Sequence, residues 1–155
     1  MPQRHLFMPF ILRHAGAMNY LSTILSLDFR RHDGSYVRVG GVVFDTAGGF
    51  TTLPVGWANH AGIHFETTTA SELSVLGVTG KGSVYMNRAT FSFPDIPHLV
   101  FTSLCAFSAT APRPLLALGD VVQTFHLSTA PESAEHAHGA FLLRLRSDHT
   151  GRPRA

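Results

Sequence analysis

Imidazoles and carboxylates at short spacing are the residues of this sequence that could do chemistry. His136 and His138, in the stretch EHAHGAFLL, stand two apart. On an extended strand two such side chains point the same way, so both could ligate one ion. His60 and His64 stand four apart, the spacing at which a helix presents two imidazoles on one face. Gly62 and the run of threonines after Glu66 argue against a helix there. In an extended segment Glu66 shares a face with His64 and offers a third donor. His60, His64, Glu66, His136 and His138 are therefore the candidate ligands for a divalent metal such as zinc. The competing reading binds no cofactor: EHAH is a solvated loop edge, and the character of the chain changes at Gly139 to a core strand, GAFLL.

Other reactive groups find less support. Cys105, the single cysteine, excludes an intramolecular disulfide and sits in the apolar run LVFTSLCAFS, where it reads as a small buried hydrophobe. No G-x-S-x-G elbow is present, and GVTGKGS lacks the spacing of a phosphate-cradling loop. The GKG triplet reads as a hairpin turn with Lys81 exposed. Trp57, the single tryptophan, lies in PVGWANH, read as a loop. It is either a plug over one end of the core or a recognition residue, and it is the candidate binding residue.

These residues belong to a chain of 155 residues, 45% hydrophobic and 14% charged, which is one domain's length and too apolar for disorder. A net charge of +2 makes no electrostatic case for nucleic acid. No apolar run reaches the length of a membrane span.

The elements that must position the candidates have a period of two. In YLSTILSLDF, Leu21, Thr23, Leu25, Leu27 and Phe29 share one face. Asp33-Gly34 marks a hairpin turn, and Gly40-Gly41 inside YVRVGGVVF marks a bulge or a close backbone approach. DTAGG, Asp45 to Gly49, is another turn. HLVFTSLCAFSAT is apolar on both faces and belongs at the centre of a sheet. In AFLLRLR, Phe141, Leu143 and Leu145 share a face fit for the core or an oligomer contact. The pattern predicts an all-β fold, an antiparallel β-sandwich of jelly-roll type with about eight strands and no amphipathic helix. Residues 1–19 are expected to be an N-terminal arm, 20–147 the sandwich domain and 148–155 a basic tail. The first segment, basic and apolar with an AGA triplet, also imitates a signal or transit peptide.

From Leu115 to Leu145, LLALGDVVQTFHL followed by HGAFLLRL resembles the end of a C1q/TNF-like jelly roll. Gly119 and Asp120, a pair that needs only a turn, stand before a penultimate strand, and Gly139, Phe141, Leu142 and Leu143 take the places of the last one. The resemblance implies a homotrimer with a structural or recognition role and no catalysis, as in a virion, a fibre or an extracellular component. Cupins are also jelly rolls and use H-x-H with a downstream Glu and a further His. Here Leu142 and Leu143 stand where that Glu belongs. The alternative function is accordingly a small cupin-like metal-dependent enzyme.

Overall fold

The computed structural model describes residues 4–64, 71–77 and 80–146. Ten strands and two short helices follow one another: β1 (His5–Ala15), β2 (Met18–Arg30), β3 (Tyr36–Asp45), β4 (Thr52–Pro54), α1 (Val55–Ala61), β5 (Ser71–Gly77), β6 (Gly80–Ser92), β7 (Val100–Ser108), β8 (Leu115–Ala117), α2 (Leu118–Val122), β9 (Phe125–Ala130) and β10 (Ala140–Leu145). The fold is all-β. No described helix is long and apolar enough to cross a membrane.

Period-two patterning locates the core as expected. Thr23, Leu27 and Phe29 are buried and Leu25 is half-buried, while Leu21 at the outer end of the same face is exposed. Register in the β2–β3 hairpin shifts between Leu25 and Leu27, which face Val42 and Val39. Gly40 and Gly41 therefore both oppose Ser26, and Gly41 takes φ +71°, the left-handed conformation open to glycine. The hairpin turns at Asp33-Gly34, where the Ser35 amide donates to Asp33 Oδ1. The adjoining Ser35 hydroxyl and amide hold the Asp33 carboxyl below its usual range.

The expected antiparallel sandwich takes the form of one continuous sheet, in the order β5-β6-β7-β4-β8-β3-β2-β1-β10-β9, with β2 also pairing β6. That extra pairing, Asp28 with Ser92 and Phe29 with Phe91, closes β2, β3, β8, β4, β7 and β6 into a ring. Most pairings are antiparallel; β3–β8 and β4–β7 are parallel. Inside, Phe29, Phe91 and Phe101 lie with ring centroids 5.4 and 5.5 Å apart in succession, and Phe93 and Phe125 meet edge to face at 5.9 Å.

The ring is built from two halves of matching connectivity. In one, hairpin β2–β3 leads through residues 46–51 to β4 and α1; in the other, hairpin β6–β7 leads through 109–114 to β8 and α2. β3 pairs β8 and β7 pairs β4, so each connection steps over the short strand of the other half and the halves interlock. Asp45, last in β3, pairs Ala117, last in β8; Ser108, last in β7, pairs Pro54, last in β4. Asp45 and Ser108 thus occupy equivalent positions. The repeat has no counterpart in the residue pattern.

Four expectations need correcting. Residues 1–19 are not a separate arm: β1 is inserted between β2 and β10, pairing Leu6 with Leu143 and Leu12 with Leu21. PVGWANHAG is a helix rather than a loop, started by extended Pro54 and stopped by Gly62 at φ +70°. Gly119 and Asp120 lie within α2, not in a simple turn. Gly80, Lys81 and Gly82 belong to β6, where Gly80 pairs Gly77 of β5. The tail 148–155 lies outside the described residues.

Candidate functional site

The candidate histidines are spread over several elements. His136 and His138 lie in the turn before β10, where the Gly139 amide donates to the His136 carbonyl. The His136 ring packs against Phe7 with centroids 5.1 Å apart and planes tilted by 34°, and its Nδ1 is buried without a partner; His138 is exposed. His60 is exposed in the last turn of α1. His64 faces His32, a residue the spacing rules passed over, with Nδ1 to Nδ1 at 3.1 Å. Only the distant pairing of the β2 end with the segment after α1 brings those two together. Among the described residues no three His, Cys, Asp or Glu side chains form a group able to hold a metal. Glu66 lies outside the described residues.

Phe141 and Leu145 are half-buried and pack on the main core, and Leu143 is fully buried, so the expected inner face of β10 is real. Leu142 is buried as well, on the other face opposite Phe7. Trp57 is half-buried and meets Phe29 edge to face at 6.4 Å. Cys105 is fully buried, and burial, with the charge of Asp120 adding to it, pushes its thiol far above the ordinary range. That is the setting of an inert thiol.

Two features remain that packing alone does not require. The first is the ribbon made by the outer parts of β1 and β2, paired from Phe10–Thr23 to Ala15–Met18. Both of its faces carry exposed apolar side chains: Leu12 and Leu21 on one, Ile11, Tyr20 and Met18 on the other, with Met18 70% exposed. A two-stranded ribbon is marginal in water by itself, and apolar groups on both faces call for cover. Where the ribbon meets the ring, β1 and β2 diverge around a cleft of about 310 Å3, lined by Leu6, Met8 and Leu25 and edged by Arg38 and Asp95. Arg38 is committed to Asp28 through two hydrogen bonds, of 2.9 and 3.1 Å.

The second is the connection after β3. Asp45 is half-buried at its head, and the Ala47 amide donates to Asp45 Oδ1 at 3.0 Å. A Cβ on Gly48 would lie 2.9 Å from the other carboxylate oxygen, so a glycine lets the backbone close over it. The foot of the loop is Thr51, completely buried. Its amide and hydroxyl donate to Asp120 Oδ2, its hydroxyl accepts from the Ala117 amide at 3.2 Å, and its carbonyl accepts from the Ala106 amide at 2.8 Å. Four hydrogen bonds at a fully buried threonine hold one end of a surface loop whose other end presents a carboxylate. Phe50, in the same loop, is 47% exposed. Ser108, the equivalent residue in the other half, caps its turn in the same way, its Oγ accepting from the Thr110 and Ala111 amides. The sequence offered only a faint signal for Asp45, an acid ending an apolar strand before a run of small residues. Neither a family model, nor a curated protein, nor a solved structure matches the chain.

Proposed function

We propose that the chain is a self-assembling hydrolase of the paired-carboxylate kind, in which Asp45 of one copy meets Asp45 of a second across a twofold axis. The observation that carries this reading is the fixed presentation of Asp45 by the loop anchored at Thr51. Catalytic groups belong on connections held by a rigid scaffold, and they need supporting hydrogen bonds behind them.

One carboxylate is not enough. Two that share a site cannot both ionise, so one keeps its proton, and the pair then offers an acid and a base side by side. The ionised carboxylate takes a proton from water as the water oxygen attacks an amide carbonyl, while the protonated one gives its proton to the carbonyl oxygen. Collapse of the tetrahedral intermediate breaks the C–N bond: the leaving nitrogen takes a proton from the protonated carboxyl, while a hydroxyl of the intermediate returns one to the ionised carboxylate and the carboxyl product forms. The equivalent position in the other half carries Ser108, so a partner carboxylate comes from a second copy. Phe50 and the ribbon, whose β2 strand runs alongside β3 toward Asp45, supply exposed apolar surface for that contact. β5, an edge strand, offers its backbone to an extended peptide, which makes peptides the substrate class.

A second reading is favoured by the ribbon itself. Assembly is then the whole function, and the chain is a structural or recognition module, trimeric if it follows the C1q/TNF-like pattern.

The test joins mass and activity. Analytical ultracentrifugation of wild type and of Leu12→Glu/Leu21→Glu is paired with cleavage of a denatured protein substrate between pH 3 and 7. A dimer that cleaves, an equally dimeric Asp45→Asn that does not, and a monomeric, inactive ribbon variant are expected. A dimer without cleavage at any pH, or cleavage by Asp45→Asn, overturns the hydrolase; a trimer supports the second reading.

A further inference from the structure

We infer that His32 and His64 together bind one divalent late-transition ion of the zinc class. The inference is independent of the role given to Asp45. It starts from how the two backbones are held. Arg31 and Ile63 form an antiparallel bridge, flanked by hydrogen bonds from the His32 amide to the Gly62 carbonyl at 3.1 Å and from the His64 amide to the Arg30 carbonyl at 2.9 Å. Ile63 is fully buried, which anchors the bridge, and Gly62 ends α1 in the left-handed conformation that turns the chain into it.

In that register His32 and His64 are diagonal neighbours on one face, and their side chains meet. The Nδ1 atoms are 3.1 Å apart, and the rings stand at 85° with centroids 5.1 Å apart. A zinc ion binds imidazole nitrogen at about 2.0–2.1 Å, so two ligands at right-angled to tetrahedral spacing lie about 2.9–3.4 Å from each other. The observed separation falls inside that interval. At that distance one Nδ1–H donates to the other Nδ1; with both protons on Nε2 instead, both Nδ1 atoms are acceptors that a single ion can bridge. Both residues are exposed, so water completes the coordination. Arg30, which faces His64 across the bridge, opposes a cation electrostatically. The ion would tie the end of β2 to the segment that follows α1 and leads toward β5.

The experiment is calorimetric titration of chelator-treated full-length protein with zinc chloride, run on wild type, His32→Ala, His64→Ala, His138→Ala and Arg30→Gln, each checked for fold by circular dichroism. One ion per chain is expected, with affinity at least about tenfold weaker in His32→Ala and in His64→Ala. Affinity should be unchanged in His138→Ala and tighter in Arg30→Gln. Nuclear magnetic resonance of the imidazoles should show zinc moving the His32 and His64 signals together. Wild-type affinity in either alanine variant, or no zinc uptake by wild type, overturns the site.

Discussion

Asp120 accepts two hydrogen bonds from Thr51, one from the amide and one from the hydroxyl, across 69 positions of sequence. The contact joins the loop of one half of the ring to the helix of the other. Thr51→Val keeps the shape and removes the hydroxyl, which leaves the Ala117 amide without its acceptor. The cost should be about 1–3 kcal/mol, the usual penalty for an unserved buried group. Asp120→Ala should cost a similar amount, and the double variant should cost clearly less than the two together. Urea unfolding of the four proteins measures this; simple additivity would mean the two residues act separately.

Gly139 takes φ +79°, and a Cβ there would stand 2.8 Å from the Ala130 carbonyl oxygen. Gly139→Ala should therefore destabilise by more than about 1 kcal/mol. A thermal melt equal to that of wild type would show that the turn before β10 can relax at no cost.

The inner face of β10 and the turn before it should respond very differently to truncation. Leu143→Ala should cost about 2–5 kcal/mol, as for other fully buried leucines. His138→Ala should stay within about 0.5 kcal/mol. His136→Ala falls between, at about 0.5–1.5 kcal/mol, because its ring packs against Phe7. Chemical denaturation ranks the three, and an order with His138 first would contradict the packing described.

Cys105 should resist thiol reagents in the native protein and react fully in denaturant. Burial raises its folded-state pKa above the ordinary 9.0, so around and above that pH the unfolded chain holds fewer protons than the folded one. Stability should fall as pH rises beyond 9. Cys105→Ala, though less stable overall because of the cavity, should lose part of that alkaline slope. Equal slopes from denaturation midpoints between pH 8 and 10.5 would remove the thiol from the account.

What could be read from the residues was local. Alternating Thr23, Leu25, Leu27 and Phe29, the bulge at Gly40-Gly41, the turn at Asp33-Gly34 and the doubly apolar β7 each leave a short-range mark. The helices leave no such mark because α1 has seven residues and α2 five, too few for a 3.6-residue period to emerge. β1 carries no sheet-long alternation because half of it lies on an exposed ribbon, where burial imposes none. The His32–His64 pair and the equivalence of Asp45 with Ser108 depend on pairings between remote segments, and no local spacing encodes those.

The interlocking of the two halves has a consequence for how the chain comes into being. β3 must wait for β8, and β4 must wait for β7 and β8, before either has a neighbour on both sides. A ribosome delivering the chain from its N-terminus therefore releases β1 to β4 with unsatisfied edges and an uncovered apolar ribbon. Non-local pairing of this sort slows folding and prolongs the exposure of sticky surface. Closure of the ring waits for β7 and β8, and a chaperone that shields the nascent β1–β2 ribbon would act at the most vulnerable interval of synthesis.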